Sequence, residues 1–136
     1  MKIPQSLVSE FDRRETSRVE LVPGVTFELC EYNATNPLWA RRAAEFIKNH
    51  PDHPAAANSG EFFKTLREKL TDKNVVDFLA DVLIIDWDGV DLDPYSPENA
   101  RELLTKLPRL TDQILMSAST ASNFRNAEVE NAVKNS

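Results

Sequence analysis

The chain has little of what most recognisable chemistries require. A single cysteine, Cys30, among 136 residues excludes an internal disulfide, and two histidines, His50 and His53, leave too few soft ligands for a structural zinc site. Basic residues are the minority charge, 16 Lys and Arg against 22 Asp and Glu. A field of that sign repels nucleic acid and anionic headgroups, so neither nucleic acid nor a membrane surface is expected as a partner. Long apolar runs are missing too: the longest, Val82 to Ile85, falls far short of the roughly 20 residues that cross a bilayer. The opening MKIPQSLVSEF lacks the apolar centre of a secretory signal, and a reducing cytosol is the expected compartment. What remains is a length that suits one domain, residues 1–136, burying roughly two-thirds of its unfolded surface.

Residues 1–16 are polar and mixed in charge and read as a flexible arm, with Leu7, Val8 and Phe11 spaced for one helical turn or two. From Arg18 the pattern alternates: Val19 and Leu21, a Val22-Pro23-Gly24 turn, then Val25, Phe27 and Leu29, which predicts a two-stranded hairpin. A lone hairpin is marginal in water, so its apolar face is expected on helices or against another chain. Asn36 followed by Pro37 predicts a helix start, and Leu38, Trp39, Ala43, Phe46 and Ile47 continue it to about Asn49, before Pro51 and Pro54. Ala55 to Ser59 reads as a loop of small residues. Beyond it lie a helix with Phe62, Phe63, Leu66 and Leu70 and another, capped by Thr71 or Asp72, with Val75, Val76, Phe78, Leu79, Val82 and Leu83. Asp86 to Pro94 reads as an acidic loop around Gly89. Ser96, Pro97 and Glu98 open a helix with Leu103, Leu104 and Leu107, and after Pro108 a last helix uses Leu110, Ile114, Leu115 and Ala118. Residues 119–136, with Phe124, Val129 and Val133, read as a partly mobile C-terminal helix or tail. The expected fold class is therefore mainly α (α+β), about five helices with a small N-terminal β-hairpin.

Few side chains propose a chemistry. The aspartates at 86, 88, 91 and 93 invite a calcium reading, but counted from Asp86 the fifth position is Val90 and glycine falls at the fourth, so the register fails and no metal is expected. Cys30 with His50 or His53 lacks a third, orienting group, and a cysteine in an apolar strand is more often a small core residue. Paired acids such as Asp86 and Asp88 need a cleft that separates their pKa values, and an exposed loop offers none. The reading is thus of a non-enzyme without cofactor. Trp87 and Tyr95 flank the acidic loop as core plugs or interface anchors, with the core role favoured for Trp87, and Trp39 shares the ambiguity. The residues proposed for partner binding are Trp87, Tyr95, Phe124, Val129 and Val133.

Two resemblances add to this. His50-Pro51-Asp52 is similar to the tripeptide with which J-domain co-chaperones stimulate an Hsp70 ATPase, and a basic helix with Arg41, Arg42 and Lys48 precedes it; the plainer reading is a helix end stopped by Pro51. The stretch VLIIDWDGVDLDPYSPENARELLTKL, Val82 to Leu107, resembles the C-terminal half of short tail assembly chaperones of long-tailed bacteriophages, through Asp86, Trp87, Gly89, Ser96, Pro97, Glu98, Asn99, Leu103 and Leu104. That resemblance implies an assembly factor of the host-cell cytoplasm that coats the tape measure protein, recruits major tail protein and is absent from the mature virion. It also implies a longer product made by ribosomal frameshifting, for which Val133-Lys134-Asn135 permits an adenine-rich slip site. Repeated contacts along a long client gain by avidity, so a homo-oligomer is expected, with the hairpin edge and the final helix as its contacts. A structural adaptor of the virion is the remaining alternative.

Overall fold

The computed structural model describes residues 1–89 and 93–125. The hairpin predicted from the alternation forms as β1 (Thr16–Val22) and β2 (Val25–Cys30), antiparallel, with Val19 opposite Phe27. Pro23 pre-sets the first central position of the turn and Gly24 takes φ +83°, the value a second central position needs when the chain reverses in this way. Leu21 is the extra residue of a bulge just before the turn.

The expected architecture of about five helices and one small hairpin does not hold. The sheet has three strands in the order β1-β2-β3, and among the described residues there are seven α-helices, so the protein is a mixed α+β fold. The third strand, β3 (Ile84–Gly89), occupies the start of the segment read as an acidic loop and runs antiparallel to β2, with Phe27 opposite Trp87 and Glu28 opposite Asp86. A continuous apolar run such as Val82 to Ile85 suits a buried helix end and a buried strand equally, and periodicity cannot separate them. Here the helix ends in a wide turn, Leu79–Leu83, and passes into the strand with no loop. Helix α1 (Gln5–Phe11) makes regular the one or two turns that Leu7, Val8 and Phe11 allow within the N-terminal arm, and α3 (Pro54–Ala57) forms, against expectation, in the segment read as a loop of small residues. The others start at or next to the residues that capping indicates, α2 (Pro37–Asn49), α4 (Ser59–Thr65), α5 (Lys73–Phe78), α6 (Pro97–Lys106) and α7 (Pro108–Ser119), but α4 stops before Leu66 and Leu70, and α6 before Leu107.

Side chains bind these elements together. Asn36 caps α2 by accepting from the Leu38 amide at 3.2 Å, while its Nδ2 donates to the carbonyls of Glu15 and Glu31, both at 3.0 Å. One buried amide thus joins the start of β1, the end of β2 and the first turn of α2. Arg42, one turn further along α2, donates from Nε to the Val82 carbonyl at 2.8 Å and from a terminal nitrogen to those of Asp81 at 2.8 Å and Ile84 at 3.4 Å. The Tyr95 hydroxyl donates to the Ile84 carbonyl at 2.9 Å. These are the carbonyls that a helix end leaves without partners, and their neutralisation lets the chain turn straight into β3.

The core lies between one face of the sheet, with Phe27, Leu29 and Trp87, and the helices that cover it. Phe78 is its aromatic centre, with Phe46, Phe62 and Phe63 at ring-centroid distances of 5.3, 5.5 and 5.4 Å in edge or tilted geometry. Such pairs contribute about 0.5–1.5 kcal/mol each beyond the area they bury. Arg101 fastens α6 to α5 and to the wide turn that follows it, its Nε 3.3 Å from Asp77 and a terminal nitrogen 3.4 Å from Asp81. Burial pushes the Asp81 carboxyl above its ordinary range, and the Arg101 charge pulls it partly back.

Candidate functional site

Helix α2 ends at a histidine folded back on it: His50 donates from Nδ1 to the Phe46 carbonyl at 2.9 Å and stacks on the Phe46 ring at 4.2 Å. Pro51 and Asp52 stay exposed. His53 then opens α3 as its cap, Nδ1 accepting from the Ala55 amide at 3.0 Å, with Pro54 at the first helical position where no amide is needed. Because Nδ1 accepts, the ring proton sits on Nε2, which donates to the Asn74 carbonyl at 2.9 Å. His53 therefore ties α3 to the first turn of α5 across an open space. Asn58 caps α4 through the Glu61 amide and Asp72 caps α5 through the Asn74 amide.

The space so framed is a groove of about 330 Å³. Phe62, Leu66 and Val75 form its floor, and Ala57 stands exposed on its wall. Its rim carries the carboxylates of Asp52, Glu61 and Asp72 against one ammonium, Lys69. An apolar floor inside a net acidic rim suits an apolar side chain flanked by basic ones. A second cavity, about 460 Å³, lies between Arg41, Arg42, His50, Asp81 and Pro97, but the Arg42 guanidinium there is already bonded to backbone carbonyls.

Removing the tie tests the frame. His53→Ala is expected to lower stability by about 1–2 kcal/mol, the usual cost of losing a helix cap, and His53→Asn, which can still accept from the Ala55 amide, by less. Thermal unfolding of the three proteins checks this; equal midpoints would mean that the cap adds nothing.

The residues proposed from sequence fall elsewhere. Trp87, 8% exposed, lies in the core, edge-on to Phe27 and Tyr95, and its Nε1 donates to the Asp93 carbonyl at 2.6 Å. Tyr95 is half-buried and Phe124 fully buried; Val129 and Val133 lie outside the described residues, as do Val90 and Asp91 and most of the predicted tail. Asp88 is exposed, and Asp86 accepts from the Trp87 amide at 2.9 Å. Cys30 is buried, takes a bond from Asn36 Nδ2 at 3.6 Å, and has its thiol pushed up to about 11, above all by burial. His53 has both ring nitrogens bonded elsewhere, so it does not serve that thiol. Among the described residues no three His, Cys, Asp or Glu side chains converge as metal ligands, and no helix is long and apolar enough to cross a membrane. The groove itself escapes sequence reading because α3 does, although His53 before Pro54 and Asn58 before Ser59 carry the signal of two successive helix starts.

Residues 33–135 match the family model described as YdaY prophage protein, so the chain belongs to that family and is phage-derived. The matched span holds the groove, β3 and every helix from α2 onward, and begins after the hairpin. Comparison with curated proteins and with solved structures returns no match.

Proposed function

We propose that this chain is a non-catalytic tail assembly chaperone that binds the tape measure protein in the host cytoplasm, keeps it soluble, helps recruit major tail protein and leaves before the virion is complete. The observation that carries the reading is the open apolar groove with its acidic rim, on a chain of phage descent whose residues 82–107 resemble those of such chaperones. A long helical client offers apolar stripes that precipitate in water. A small acidic protein that accepts one apolar side chain at a time, in many copies, keeps such a client dispersed through avidity and charge.

Co-expression with the tape measure protein of the same genome is the test. The client is expected to become soluble and to co-elute with several copies of the chain. Ala57→Trp, which fills the groove from an exposed wall position, is expected to abolish co-elution while leaving the unfolding midpoint unchanged. A client that stays insoluble with the unaltered chain overturns the function, and capture that survives Ala57→Trp overturns the groove as its seat.

A further inference from the structure

Strand β1 is an edge of the sheet, with β2 on one side. Hydrogen-bonded pairs alternate along an antiparallel ladder. The Glu31 amide donates to the Glu15 carbonyl at 3.0 Å, so Glu15, Ser17 and Val19 turn their backbone groups toward β2, and those of Arg14, Thr16, Arg18 and Glu20 point outward. At one end the Arg14 amide donates to the Phe124 carbonyl at 2.7 Å, and at the other the bulge at Leu21 breaks the ladder. Between them the outward groups of Arg18 and Glu20 meet no backbone partner among the described residues. An open stretch of this kind is a template for a further strand. Charge along it is ordered as well, with Arg18 and Glu20 both on the exposed face. The Arg18 side chain, 55% exposed, leans on Glu28 at 4.0 Å, whereas Glu20 makes no ion pair among the described residues. Arg14, the next charge on that face, is turned back onto Ser17 Oγ and the Asn123 carbonyl.

We infer that this edge pairs with the same edge of a second copy, the two β1 strands lying antiparallel about Val19. In that register Arg18 lies opposite the partner's Glu20, the pair exchanges its outward backbone hydrogen bonds, and two-fold symmetry makes the contact twice. Arg18 then sits between Glu28 of its own chain and the partner's Glu20. The two Val19 side chains meet on the face that carries Phe27 and Leu29, at the closer spacing of a non-bonded pair. Neighbouring registers fail. A pairing centred on Arg18 sets arginine on arginine, one centred on Glu20 sets glutamate on glutamate, and one centred on Ser17 needs the Arg14 groups that Phe124 already holds. A strand of unrelated sequence has no reason to carry the opposite charges two residues apart that answer this edge, whereas a copy carries them by construction. So short a contact covers less than the roughly 800 Å² per partner of a stable complex, so the association is weak and reversible. It becomes decisive when copies sit side by side on a longer partner. The contact follows from this edge alone and stands whether or not the client is a tape measure protein.

Sedimentation equilibrium of the full chain, from roughly micromolar to millimolar concentration, tests it. The expected result is a reversible monomer–dimer equilibrium. Arg18→Glu leaves two carboxylates on the edge and Glu20→Arg two guanidiniums, and each is expected to weaken the dimer about tenfold, because symmetry turns both attractive pairs repulsive at once. An equimolar mixture of the two variants is expected to pair again, acidic edge on basic edge, about as tightly as the unaltered chain. Amide exchange on the unaltered chain gives an independent reading. The Arg18 and Glu20 amides are expected to gain protection as concentration rises, while those of Ser17 and Val19, already turned to β2, stay as they were. A strict monomer at every concentration, or a mixture no tighter than either variant alone, overturns the proposal. So do edge amides that gain protection only when the client is present, because the edge then belongs to a client strand.

Discussion

Arg42→Ala is expected to destabilise the fold by about 2–4 kcal/mol, the cost of leaving carbonyls without the charged donor that served them. The side chain leaves α2 and reaches the carbonyls of Asp81, Val82 and Ile84, where the wide turn after α5 becomes β3. Three acceptors at one helix end meet one planar fork of donors. Lysine brings the same charge as a single point with freely turning donors, so Arg42→Lys is expected to recover less than half of the loss. Urea unfolding followed by circular dichroism measures both, and amide exchange along β3 localises the effect, because the strand begins at one of the three carbonyls. A loss below about 1 kcal/mol in Arg42→Ala would mean that water replaces the guanidinium at this turn.

The same turn shows how far the sequence could be read. Capping pairs were legible because their chemistry is local: Asn36 with Pro37, Asp72, and Ser96 with Pro97 each start a helix where expected. So was the hairpin, whose alternation and Pro-Gly turn are contained in a few consecutive residues. The third strand was not legible, because nothing within Val82 to Trp87 says that the helix stops. That instruction comes from Arg42, some forty residues away, and from the β2 edge that Phe27 and Glu28 offer for pairing. The groove was missed for a related reason. Its walls are ordinary capped helices, and only the bond from His53 to the Asn74 carbonyl reveals that they face one another. The aromatic residues chosen from sequence as contacts were chosen by type, and type does not report burial: Trp87 and Phe124 are core, whereas the apolar residues left exposed include Leu7 and Phe11 on a segment read as a mere arm.

Trp87→Ala is expected to cost about 3–5 kcal/mol, as for other large aromatic side chains removed from a core. Against a total stability of about 5–15 kcal/mol for a domain, that is a third or more of what holds the chain folded. The indole sits on β3 with Phe27 at 5.8 Å and Tyr95 at 5.3 Å, both edge-on, so its loss opens a cavity between the sheet and the segment that leads into α6. Trp87→Phe keeps most of the packing but leaves the Asp93 carbonyl without its donor, and is expected to cost about 1–3 kcal/mol. The pair of variants also separates a core role from a contact role. If Trp87 acts by supporting the fold, client capture falls only in proportion to the fraction folded, and Trp87→Phe below its unfolding midpoint captures as well as the unaltered chain. Ala57→Trp should behave in the opposite way, keeping its midpoint and losing the client. A Trp87→Phe protein that stays folded yet fails to hold the client would reverse the assignment, moving the contact from the groove to the β3 face.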